Sequence, residues 1–180
     1  MELYLITGKA RSGKNHFADE MKKQFEKRGQ KVCILKITSP LYHYAYDYFG
    51  WSGKEEDKPR SFLQQMGIEY IKEELKMPHF LLDRLSEDIM ILNKFFDIGI
   101  ITDGRLIEEI EELKRRYPDI TTIHMTRPEY ENDLTKEERN HITEKDLENY
   151  KNFNIKIENK NKKDLQEKAQ KIVNERLGNK

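Results

Sequence analysis

The sequence predicts an α/β fold, a five-stranded parallel sheet with helices on both faces. Two observations carry this: short apolar runs alternate with stretches of helical periodicity, and the first apolar run passes through a glycine-containing turn directly into a helix. Residues 3–7 are the first apolar run, and Phe17, Met21 and Phe25 then recur every four residues, so a buried strand leads into an amphipathic helix that Gly29 ends. Residues 32–37 read as a second strand, and Pro40 opens an aromatic-rich helical stretch through Tyr42, Tyr46 and Phe49. Residues 61–96 are helical in pattern, with a break at Met77 and Pro78. A third strand over 98–102, a helix over 106–116, a fourth strand over 120–125, a fifth over 153–157 and a last helix over 164–177 complete the alternation, which buries a parallel sheet between helical layers.

The length of 180 residues suits one domain. Lys+Arg and Asp+Glu number 33 each, so any anion site must be local, and neither a nucleic-acid polymer nor a membrane is an expected partner. Cys33, the single cysteine, sits in an apolar run and reads as a reduced core residue, which points to a cytoplasmic protein. The apolar start MELYLITG stops short of a signal sequence, and no stretch is long enough to span a bilayer. A monomer or a homodimer is expected. The charged stretch between Pro128 and Asn149 follows a strand end and lacks apolar periodicity, which suits either a mobile lid or a solvated helix.

Gly8-Lys9-Ala10-Arg11-Ser12-Gly13-Lys14-Asn15 matches the P-loop pattern, two glycines five apart followed by lysine. Glycines let the backbone wrap closely enough for successive N–H groups to face a β-phosphate, the helix adds its positive end, and Lys14 reaches the β- and γ-phosphates. The nucleotide-binding set is therefore Gly8, Arg11, Ser12, Gly13, Lys14, Asn15 and, by position, His16. Asn15 stands where a hydroxyl usually ligates Mg²⁺; its carboxamide oxygen could serve the ion instead. The fold class becomes a three-layer αβα P-loop NTPase.

Asp103 closes the third strand and would stand beside the P-loop if the two strands are neighbours. Two readings apply: it holds the magnesium shell and faces the acceptor, or it caps the helix over 106–116. Transfer of a phosphoryl group between two anions needs cations on both sides of it, and Arg60, Arg105, Arg127 and Arg139 are the candidates. His141 and Glu144 lack the partners of a triad or a zinc site and read as a helix start or lid element. His43, His79 and His124 are assigned no chemistry. The aromatic run Tyr42, Tyr44, Tyr46, Tyr48 and Trp51 could stack a base, but packing of a helix core is the favoured reading.

These motifs together resemble the deoxynucleoside monophosphate kinases of phage and bacterial genomes, within the nucleoside monophosphate kinase group. The matching segments run nearly end to end: LITGKARSGKNHFAD, Ser39-Pro40-Leu41, RSFLQQMG from Arg60, TDGRLIEEIE, Arg127, HITE at 141–144 and Ile157-Glu158-Asn159. The resemblance implies ATP as donor with Mg²⁺, a helical acceptor-binding region over about 38–96 and a lid over about 128–149. It further implies that Arg60 grips the acceptor phosphate and Gln64 faces its base, that Arg105 and Arg127 bracket the transferring group, that Arg139 closes over ATP, and that Asn159 lies near the adenine. Asn15 and Tyr42 depart from the pattern, the latter where a lysine often follows S-P-L. Animal-type phosphomevalonate kinases and dephospho-coenzyme A kinases share much of it, so a non-nucleotide acceptor stays open. A carboxamide offers paired donor and acceptor to a base edge, which favours the nucleotide. A nucleotide-sensing module without turnover is the alternative of another class, against which the acceptor-side arginines argue.

Overall fold

The computed structural model describes residues 1–128 and 140–178. Five strands, β1 (Glu2–Thr7), β2 (Val32–Leu35), β3 (Ile98–Gly104), β4 (Thr121–Thr126) and β5 (Ile155–Glu158), form one sheet in the order β2-β3-β1-β4-β5. Every neighbouring pair is parallel. The first strand is thus the centre of the sheet, and residues 3–7 are buried without a break. Its side chains alternate between two cores, as the pleat requires. Tyr4 and Ile6 meet Phe17, Met21 and Phe25 of helix α1 (Lys14–Glu26) and Leu165, Ala169 and Val173 of the last helix, α7 (Lys162–Leu177). Leu3 and Leu5 meet Leu82, Leu85 and Ile89 of α4 (Phe80–Leu92) and Ile110 and Leu113 of α5 (Ile107–Arg116) on the opposite face. Phe17 and Phe25 have no exposed surface, so truncating either to alanine should cost about 3–5 kcal/mol.

A third, smaller core lies off the sheet. Leu41 and Ala45 of α2 (Ser39–Phe49) pack with Leu63 of α3 (Arg60–Gln65) and with Met66 and Ile71. The chain continues from α3 as a π-helical segment, Met66–Glu74, and breaks where Lys76 takes a positive φ of 56°, just ahead of the Met77 and Pro78 named from sequence. Wide turns of this kind recur at functional sites. Between β4 and β5, the short helix α6 (Ile142–Lys145) runs into a 3-10 turn, Asp146–Glu148.

Three elements depart from their expected form. β2 ends at Leu35 instead of 37 because the Ile37 and Thr38 N–H groups turn away from the sheet to the Asp103 carboxylate, at 2.8 and 3.0 Å. β5 begins at Ile155 because Asn154 uses its side-chain oxygen on Thr122 N–H, 2.8 Å, ahead of strand pairing. The aromatic run fills a helix core only in part: Leu41 and Ala45 are the buried residues of α2, Tyr42 and Tyr44 are partly buried, and Tyr46, Tyr48 and Phe49 are 60, 76 and 63% exposed. Cys33 is a buried free thiol, as expected. Among the described residues no helix is long and apolar enough to cross a membrane.

Candidate active site

The loop between β1 and α1 is wedged against β4 and the end of β5. Gly8 has φ 137°, and a Cβ there would lie 2.3 Å from the Met125 carbonyl oxygen. Gly13, at φ 99°, opens α1; a Cβ on it would lie 2.5 Å from Asn159 Nδ2. That amide donates to the Ser12 carbonyl at 2.9 Å, while the Asn159 N–H donates to Thr126 O at 2.7 Å, so the residue after β5 clamps the loop to β4. Inside the loop the Ser12 hydroxyl is buried with no hydrogen-bond partner among the described residues. Lys14 is buried as well, its Nζ donating to the Gly8 and Lys9 carbonyls at 2.6 and 2.7 Å. Burial, with the Arg105 cation adding to it against Glu144 and Asp103, pushes the Lys14 ammonium down to about 7. An unpartnered hydroxyl, a desolvated lysine and glycines too tight for any Cβ make a cradle whose donors fit a polyphosphate.

β3 pairs directly with β1, so Asp103 and Arg105 do reach the loop's side of the sheet. Asp103 does not cap α5. Both its oxygens hold the β2–α2 connection, the Thr38 hydroxyl joining at 2.5 Å. The cap of α5 comes from Glu109, which accepts the Arg105 and Leu106 N–H groups at 2.9 and 3.0 Å, and from Asp146, which accepts Ile107 N–H at 2.6 Å. Burial pushes Glu109 up to about 7 against those two hydrogen bonds.

The segment around α6 docks on all of these elements. Its buried Glu144 accepts the Ala10 N–H of the loop at 2.9 Å and pairs through its other oxygen with Arg105. Glu148 pairs with Lys9 at 2.6 Å, and Thr143 accepts a hydrogen bond from Gln64 Nε2 at 3.1 Å. His141 begins the helix, its side chain accepting Thr143 N–H, in line with the helix start expected from sequence.

A cavity of about 130 Å³ opens between the loop and the third core, many times the space one water needs. Ala10, Arg60, Gln64, Asp103, Arg105 and Glu144 share its polar wall, and Leu41, Ile68, Ile71, Met77 and Leu81 are among its apolar residues. Of the residues singled out from sequence, Lys14 lies buried behind this wall, Asn159 under the loop, Arg11 and Asn15 on the exposed side of the loop, and His16 half-buried in the first turn of α1. Arg127 is exposed beyond the end of β4 and does not line the cavity. Arg139, like half of the stretch read as a lid, lies outside the described residues. Lys58, Glu109 and the burial of Glu144 escaped the sequence reading. Lys58 looks like one more charge in an acidic and basic run, and nothing in the spacing of HITE says that its carboxylate turns inward. Among the described residues no cluster of three His, Cys, Asp or Glu side chains could hold a metal unaided; Asn15 and Asp103, the residues expected from sequence to serve Mg²⁺, carry side-chain oxygens, the donor type that ion takes.

No protein-family model matches the chain, and no curated protein matches it. Solved structures do. The Mycobacterium tuberculosis APS kinase CysC in complex with AMPPNP and APS superposes with a TM-score of 0.57 at 14% identity, over 96% of this chain and 95% of that one. The chain has the fold of a P-loop kinase. Shikimate kinase from Aquifex aeolicus VF5 gives a TM-score of 0.50 at 16% identity over 99 and 100% of the two chains. An unliganded sugar kinase from Janibacter sp. HTCC2649 gives 0.50 at 12% identity over 97 and 95%. Within the P-loop kinase fold the acceptors named for these proteins differ, so the fold by itself leaves the acceptor to the cavity's own chemistry.

Proposed function

We propose that the chain transfers the γ-phosphoryl group of ATP to the phosphate of a nucleoside monophosphate, giving the diphosphate and ADP. One observation supports this above the rest: Ala10 of the phosphate loop, Arg105 and Asp103 form a wall common to the nucleotide cradle and to a separate cavity, so donor and acceptor would meet there. Gly8, Arg11, Ser12, Gly13, Lys14, Asn15 and His16 bind the donor, with Asn159 toward the adenine. Residues of about 38–96 bind the acceptor, Arg60 at its phosphate and Gln64 at its base.

Chemically, an oxygen of the acceptor phosphate forms the new bond to the γ-phosphorus as the bond to the ADP oxygen breaks, in line, and no protein nucleophile is needed. Lys14, behind the shared wall, and Arg105, within it, offset the charge that develops on the transferring oxygens. The Ala10 N–H is free to take a phosphoryl oxygen once Glu144 releases it. Asn15 and Asp103 would hold Mg²⁺ beside the phosphates, where the ion would supply further charge neutralisation.

ADP release with ATP and Mg²⁺ against a panel of ribo- and deoxyribonucleoside monophosphates, with phosphomevalonate and dephospho-coenzyme A included, tests the proposal. Turnover of a nucleoside monophosphate supports it. Turnover only of another acceptor replaces the substrate, and ATP binding with silence across the panel replaces the enzyme with a nucleotide-sensing module.

A further inference from the structure

Two residues before Arg60, Lys58 enters the same cavity wall by a route that nothing in the loop or the sheet requires. Its side chain is only 16% exposed. The ammonium stands 4.6 Å from the centroid of the Tyr42 ring and donates to the Tyr42 hydroxyl at 3.0 Å. An aromatic face and a hydroxyl together fix a cation that would otherwise swing into solvent on four flexible bonds. Tyr42 is itself held by Trp51, with ring centroids 5.6 Å apart.

The counter-ion at this place is weak. Glu55 lies 3.6 Å from Lys58 Nζ through one oxygen and pairs with Arg60 through the other, but it is 64% exposed. Carboxylates so exposed hold their partners weakly and give way to a better anion. Asp103, across the cavity, has both oxygens engaged by Ile37 and Thr38. The Lys58 charge also reaches Lys14, on which it acts unfavourably. Two cations on one wall, sharing one exposed carboxylate, are built for a doubly charged guest.

We propose that Lys58, seated on Tyr42, and Arg60 together form a two-cation clamp for the acceptor's phosphate dianion, with Glu55 as the group the phosphate displaces. The inference rests on the phosphate-acceptor reading above and adds the residue that makes the cavity select a phosphorylated over an unphosphorylated acceptor. Arg60 supplies a planar fork, and Lys58 supplies a point charge whose position Tyr42 sets.

The test uses the full chain and the monophosphate that the wild type turns over fastest. Lys58→Met should raise the acceptor KM about 10- to 100-fold and leave the ATP KM within about twofold, a loss of the size expected for a charge-assisted contact. Lys58→Arg should recover most of the loss, and Tyr42→Phe should raise the acceptor KM by about threefold through loss of the hydroxyl alone. Calorimetric binding of the monophosphate should weaken in Lys58→Met, while binding of the matching nucleoside stays as in the wild type. An acceptor KM unchanged in Lys58→Met, or equal losses for nucleoside and monophosphate, overturns the clamp and leaves the kinase standing. A wild type that turns over no phosphate-bearing acceptor overturns both.

Discussion

The Glu144 carboxylate accepts the Ala10 N–H at 2.9 Å, at the point where the β1–α1 loop meets the cavity proposed for the acceptor. Its second oxygen holds Arg105. In the free chain, one buried carboxylate therefore occupies two of the groups that a transferring phosphoryl would use, and a phosphate arriving there meets a like charge. Glu144→Gln keeps an oxygen for the Ala10 N–H but removes that charge. The variant is expected to bind a non-hydrolysable ATP analogue about fivefold more tightly, equivalent to about 1 kcal/mol, in a calorimetric titration. Unchanged or weaker binding would show that Glu144 stays in place beside the nucleotide and serves Arg105 instead.

Lys14 yields a prediction in pH. Its folded value of about 7 lies far below the ordinary lysine value of about 10.4, so between those two limits the unfolded chain carries a proton that the folded chain lacks. Stability from this group thus rises with pH through the window and is lowest below pH 7, where the buried ammonium is fully charged. Urea unfolding of wild type and Lys14→Met should show the variant more stable at pH 7, and the gap should narrow toward pH 9.5 at up to about 1.4 kcal/mol per pH unit. Phosphoryl transfer by the variant should fall at least about 1,000-fold. Equal pH dependence in the two proteins would mean that Lys14 is solvated in the free chain.

The central strand, the loop and the alternation of elements were legible because each is a local pattern: an apolar run, a glycine spacing, a four-residue period. The five strands and the break near Met77 followed from those patterns, and the adjacency of β1 and β3 satisfied the condition set for Asp103. What could not be read was which polar groups meet across long sequence separations. Asp103 spends its oxygens on residues 65 and 66 positions earlier, and Glu144 folds onto a loop 134 positions earlier. Tyr42 packs partly inward while Tyr46, one helical turn on, faces solvent, a difference made by the third core and not by the chain's own periodicity.

Magnesium dependence separates the two proposed ligands. Asn15 is exposed, so Asn15→Ser changes an oxygen ligand at little structural cost and is expected to lower the magnesium concentration for half-maximal rate by about three- to tenfold. Asp103→Asn is less selective. It replaces a carboxylate oxygen that receives N–H groups with an amide that can supply one such acceptor only, so unfolding stability should also drop by about 1–3 kcal/mol. Rate against magnesium concentration, read beside urea midpoints, distinguishes the effects: an Asn15→Ser curve that overlays the wild type removes Asn15 from the metal site.

The contact between Gly13 and Asn159 predicts a non-additive pair. A Cβ at position 13 would stand 2.5 Å from Asn159 Nδ2, and the φ of 99° strains any side chain whatever the space. Gly13→Ala should therefore cost about 2–4 kcal/mol, the sum of a steric clash and an unfavourable backbone. Asn159→Ala alone removes the donor to Ser12 O and should cost about 1–2 kcal/mol. In the double variant the clash has no partner, while the backbone strain and the lost hydrogen bond remain, so the combined loss should fall short of the sum by about 1 kcal/mol or more. Urea unfolding of the four proteins closes this cycle. Strict additivity would mean that Asn159 already yields to the methyl group, and the clamp on the loop would then be looser than the 2.9 Å hydrogen bond implies.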